Sequence, residues 1–115
     1  MDGETALHRA ALNGDEKEAQ NLIVLGADPN IRNNFNVTPL DHAASKGHTS
    51  IAELLIYAGA NVDAESNVKW TPLHSACMCG HENVAELLIR KGANVHKETD
   101  MKNTPLHLAA QNGNS

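Results

Sequence analysis

Aromatic residues are scarce: one Phe, one Tyr and one Trp make up 3% of the 115 residues. Rings cannot form the interior, so it must be built from Ala, Leu, Ile and Val, within a hydrophobic content of 41%. Cysteine is equally sparse. Cys77 and Cys79 are the only two, and one residue apart they cannot staple a fold. That points to a reduced, intracellular setting, cytoplasmic or nuclear. Long apolar runs are missing too. Runs such as Leu22 to Ala27 are far too short to span a bilayer. The N-terminus is polar at once, so no secretory signal is expected. Basic charge is not in excess either: 9 Lys and Arg stand against 14 Asp and Glu, for a net charge of −5. Without a basic stripe to neutralise phosphates, nucleic acid is not an expected partner. The acids crowd the start: Asp2, Glu4, Asp15, Glu16, Glu18 and Asp28 face only Arg9 and Lys17 before residue 31.

What the chain has instead is repetition. Thr5-Ala6-Leu7-His8 returns at intervals of 33 residues as Thr38-Pro39-Leu40-Asp41, Thr71-Pro72-Leu73-His74 and Thr104-Pro105-Leu106-His107. Other columns keep step. Ala10, Ala43, Ala76 and Ala109 align, as do Ala11, Ala44, Cys77 and Ala110. Gly14, Gly47, Gly80 and Gly113 align, and Leu22-Ile23 matches Leu55-Ile56 and Leu88-Ile89. Gly26-Ala27, Gly59-Ala60 and Gly92-Ala93 close the units. A fixed period of this size means one supersecondary unit stacked on its own copies, each too small to bury its apolar face alone.

The columns predict local structure. Thr before Pro starts a helix, since Thr accepts from an orphan N–H and Pro suits the first helical position. Leu40, Ala43 and Ala44 share a face, and small residues there let a neighbouring helix come close. Gly47 should end that helix by taking φ > 0. Thr49 or Ser50 should open a second helix with Ile51, Leu54, Leu55 and Ile56 as its apolar content, and Gly59 should end it. Residues 60–70 read as a turn-bearing hairpin.

The phrase and its period resemble the known signature of the ankyrin-repeat family. The resemblance runs through the whole chain as a single domain, 1–115, with repeats at about 1–33, 34–66, 67–99 and a partial 100–115. It implies an all-α-dominated solenoid of stacked helix-turn-helix units with β-hairpin or turn fingers.

Departures from the pattern carry their own expectations. Glu18 and Asn21 stand where later repeats have Ile51 or Val84 and Leu54 or Leu87, which fits a capping repeat with a polar outer face. The last repeat stops after its first helix, so the region of Leu87 and Leu88 should be partly uncovered and the final helix should fray. The family's Gly two residues before the Thr survives as Gly3 but becomes Asn36, Lys69 and Lys102. Lys in a left-handed conformation costs roughly 1 kcal/mol, so either the turn changes or its tip is strained. Asp41, replacing His, is expected to cap its helix from the third position.

Catalytic and metal chemistry find little support. His74, Cys77, Cys79 and His81 have helical spacing for zinc. Yet His74 repeats as His8 and His107, His81 repeats as His48, and Cys77 sits in an Ala column. No nucleophile–base pair or phosphate loop is present, so no enzyme activity, cofactor or metal is expected. The segment Leu22 to Asp28-Pro29-Asn30 is similar to ankyrin sequence modified by an asparaginyl hydroxylase, with Asn30 as the residue. A turn-shaping role explains Asn30 as well.

Function should lie where the copies differ. One finger column reads Asp2, Phe35, Val68, Met101, and another reads Glu4, Val37, Trp70, Asn103. The only Phe and only Trp therefore fall on fingers. Units spaced by about 10 Å would join Phe35, Val37, Val68 and Trp70 in one apolar patch. The family resemblance places these tips on a concave recognition surface, with the first-helix residues Ser45, Lys46, Met78, Cys79, Gln111 and Asn112. Asn34, Asn67 and Asp100 add a polar rim. The expected activity is non-catalytic binding of a protein partner, with no membrane insertion. A monomer is expected, with weak self-association at its C-terminal end. The alternatives are a structural spacer or oligomerisation segment, or a regulatory segment of a larger enzyme or channel.

Overall fold

The computed structural model describes residues 3–111. Seven helices occur among them: α1 (Ala6–Asn13), α2 (Glu16–Val24), α3 (Pro39–Lys46), α4 (Thr49–Tyr57), α5 (Pro72–Cys79), α6 (Glu82–Arg90) and α7 (Pro105–Gln111). The odd helices pack side by side as an inner row, α1 on α3, α3 on α5 and α5 on α7. The even helices α2, α4 and α6 form an outer row behind them. The stack measures 38 × 27 × 22 Å.

Small residues set the inner row. Ala11, Ala43, Ala44 and Ala76 are fully buried where the helices meet, and Leu7, Leu40 and Leu73 fill the space between rows. Leu55 and Leu88 do the same from α4 and α6. Full burial of such a side chain contributes about 1.5–3 kcal/mol. Between the helices of a pair, Gly47 takes φ 76° and lets the His48 N–H donate back to the Ala43 carbonyl. A Cβ on Gly47 would lie 2.5 Å from Nδ1 of His81, whose other nitrogen, Nε2, bonds the Ser45 carbonyl at 3.1 Å. That turn therefore needs glycine twice over, for its backbone and for the imidazole of the next repeat. The second helix of this pair opens at Thr49 with His48 as N-cap, and Ala58 is the C-cap just before Gly59.

The fingers are tight turns, and no strand occurs among the described residues. Each tip has one backbone bond across its base, from the N–H of Asn33, Ser66 and Thr99 to the carbonyl of Val37, Trp70 and Asn103, and one within the turn, from Asn36, Lys69 and Lys102 back to Asn33, Ser66 and Thr99. One cross-base bond per finger is too little for a ladder. The left-handed position is kept despite the loss of glycine, with φ of 63°, 62° and 67° at Asn36, Lys69 and Lys102. The strain option therefore holds, and the turn does not change. Asn33, Ser66 and Thr99 support it by accepting two backbone N–H bonds each.

Two expectations need correction. Leu87 and Leu88 are fully buried, held against the inner row and α4. The side chains left open are Ile89, half exposed, and Leu106, 74% exposed. Ile23 and Ile56, which match Ile89, are the ones a following second helix partly covers. Asp41 does not cap α3 either. Thr38 makes no side-chain cap bond, and its buried Oγ1 has no hydrogen-bond partner. Fraying of the final helix concerns residues 112–115, outside the described residues.

Candidate functional site

The His of the repeated phrase is structural. His8 Nδ1 accepts from the Thr5 N–H at 3.2 Å while Thr5 Oγ1 accepts from the His8 N–H, a reciprocal cap. His8 Nε2 then donates to the Val37 carbonyl at 2.8 Å in the next finger. His74 repeats this, bonding the carbonyls of Asn103 and Lys97 at 3.0 Å each. Burial pushes its pKa down, against the opposing pull of those carbonyls and of Glu65. His81 is committed to Ser45, and burial raises the Cys77 thiol. No three His, Cys, Asp or Glu side chains converge to hold a metal among the described residues.

The fingers are also joined to one another. The Asn67 N–H donates to the Phe35 carbonyl at 3.1 Å, and the Asp100 N–H donates to the Val68 carbonyl at 3.0 Å. Between the second finger (residues 33–37, counting the turn at Gly3 as the first) and the third (66–70), Phe35, Val37, Val68 and Trp70 line a shallow pocket of about 270 Å³, with Ser66 and Asn67 at its edge. Phe35 is 60% exposed and Val68 53%. Trp70 is half-buried: its ring lies 5.5 Å from that of His74, and its indole N–H donates to Ser75 Oγ. The 33-residue step thus brings the four residues together, with Trp70 as a wall more than a free tip.

The other expected contact residues are spread along the same row. Asn34, Lys46, Asn67, Met78, Cys79, Asp100, Met101 and Gln111 are exposed, whereas Ser45 and Asn103 are half-buried. Ser45 is occupied in bonding the His42 carbonyl and receiving His81. Asn112 lies outside the described residues. Asn30 bridges two repeats, its Nδ2 donating to the Gly59 carbonyl and its Oδ1 accepting from the Asn61 N–H.

One inner-helix column is not among the expected contact residues: Arg9, His42, Ser75 and Leu108. Its members vary as much as the fingers do, which was the available signal. His42 Nε2 lies 3.0 Å from both Glu4 carboxylate oxygens, and Asn33 Nδ2 donates to Glu4 at 2.7 Å. Burial raises the Glu4 carboxyl, but these two hydrogen bonds and the nearby His42 and His8 charges outweigh it. The net position is below its ordinary 4.5. Ser75 donates to both oxygens of Asp41 at 3.0 Å. The surface therefore runs from a polar Glu4–His42 end to an apolar Phe35–Trp70 centre.

A family model for ankyrin repeats (3 copies) matches residues 1–66 and 58–115. The chain belongs to the ankyrin-repeat family. Ankyrin repeats are in general protein–protein interaction modules and typically non-catalytic. No curated protein matches the chain. No helix among the described residues is long and apolar enough to cross a membrane.

Proposed function

We propose that this ankyrin stack recognises a protein partner on its concave side, centred on the groove between the second and third fingers, and performs no chemistry on it. One observation carries the reading: Phe35, Val37, Val68 and Trp70 line an open apolar pocket, with the Phe35 and Val68 side chains mostly exposed. An aromatic–aliphatic centre with a polar rim is the composition of a binding hot spot. Asn34, Asn67 and Asp100 supply the rim. Cross-bonded fingers lose little conformational freedom on docking, which favours affinity. The acidic first repeat and the Glu4 carboxylate favour basic groups in the part of the partner that meets them. A reduced compartment, cytoplasmic or nuclear, completes the proposal, with Cys77 and Cys79 as free thiols.

The test is quantitative capture from a cell extract, followed by affinity measurement on what is recovered. Trp70→Ala should weaken the complex by about 2 kcal/mol or more. Tyr57→Ser, on the exposed outer row, should leave it unchanged. Equal affinities for the wild type and Trp70→Ala, with unchanged circular dichroism, would sink the reading.

A further inference from the structure

We propose that Asp41 is a positioning residue for the recognition surface: through the Ser75 hydroxyl it fixes the Trp70 indole in the wall of the groove. The purpose of this device rests on the recognition reading; its geometry does not.

The order of the bonds is forced by chemistry. An indole N–H can only donate, so Ser75 Oγ must accept from Trp70. The single hydroxyl proton of Ser75 then goes to Asp41, whose two oxygens lie 3.0 Å away. A carboxylate accepts without competing for that role. The resulting chain runs from the third finger, through α5, to α3 of the preceding repeat.

Asp41 makes this bond in place of others. At the matching positions, His8 and His74 each close a reciprocal cap with Thr5 and Thr71. Each also reaches a carbonyl of the next finger, Val37 for His8 and Asn103 for His74. The Thr38 hydroxyl, in contrast, is buried without a partner. Burial also opposes the ionised form of the Asp41 carboxyl. Locally, then, the acid is a poor choice for α3. The partner column shows the same pattern in reverse. Arg9, His42 and Leu108 stand where Ser75 does, so among the four copies of each column only one has the acid and only one has the hydroxyl. Two separate departures from the repeat, 34 residues apart, meet in one hydrogen bond. Its far end is the only Trp of the chain.

The sole Trp makes the proposal testable without a partner. The readouts are the indole N–H resonance and its hydrogen exchange by NMR, and acrylamide quenching of Trp70 fluorescence, each paired with a urea unfolding curve. Asp41→His should regain the Thr38 cap and unfold at higher urea. The same variant should shift the indole resonance and speed its exchange about tenfold, since the acceptor that anchors the Ser75 hydroxyl is lost. Asp41→Asn, which keeps an acceptor oxygen, should hold the wild-type signature. Ser75→Ala should loosen the indole as Asp41→His does, and it does not depend on an imidazole fitting at position 41. Wild-type exchange and quenching in a folded Ser75→Ala protein would overturn the proposal. So would equal loosening in Asp41→Asn and Asp41→His. Failure of the partner-capture test with an intact indole signature would instead overturn the recognition reading alone.

Discussion

Burial pushes the Asp41 carboxyl from its ordinary 3.8 up to about 6, although the Ser75 hydrogen bond and the His42 charge pull the other way. The folded chain therefore holds this proton more tightly than the unfolded chain does. Between pH 3.8 and about 6 the folded state binds more protons at this site, so its contribution to stability falls as pH rises through that window. Glu4 works in the opposite sense: held below 4.5, it adds stability at higher pH that is lost on acidification. Asp41→Asn separates the two. Urea midpoints measured from pH 4 to 7 should show the variant gaining on the wild type as pH rises, and parallel curves would rule the effect out. The sequence alone pointed away from this behaviour. An acid at the third helical position looks like a cap, and only the arrival of Ser75 from the next repeat gives it another destination.

At the scale of the element, the helix pair depends on its glycine turn. Gly47 combines φ 76° with an imidazole 2.5 Å from where a Cβ would sit, whereas Gly59, at φ 106°, has nothing within 4 Å. Gly47→Ala should cost about 2 kcal/mol or more, because left-handed strain and displacement of His81 add together. Gly59→Ala should cost about 1–2 kcal/mol, from strain alone. Thermal unfolding of the two variants compares them, and equal losses would show that the His81 contact carries no weight. These pairs were the most legible part of the chain, because Thr-Pro and Gly mark helix ends by local backbone chemistry. The fingers were legible in register, since Phe35 and Trp70 meet as the 33-residue step requires. They were less legible in detail. The supporting bonds of Asn33, Ser66 and Thr99 lie in a column of mixed polar residues that suggests a solvated loop. The location of uncovered apolar surface was also missed. Whether Leu88 or its neighbour Ile89 faces the following unit depends on helix rotation, which a one-residue difference in sequence does not announce.

At the scale of the molecule, the substantial packing among the described residues is between neighbouring repeats: α1 meets α3, α3 meets α5 and α5 meets α7. Stability should then be a sum of local and nearest-neighbour contributions. Leu108→Ala empties a buried site on α7 and should cost about 2–5 kcal/mol locally. Amide exchange should quicken in α7 and α5 and stay unchanged in α1 and α2. A uniform rise along the chain would mean that the stack unfolds as one unit. The bonds joining Phe35 to Asn67 and Val68 to Asp100 have a bearing on partners as well. They lock the apolar tips at a set pitch of about 10 Å, the interval between packed units. The row of tips is thus a gauge. A helical ligand would meet successive tips with residues about seven apart, and a polyproline II ligand with residues about three apart. A ligand whose apolar side chains follow neither interval can fill one gap in the row but not two.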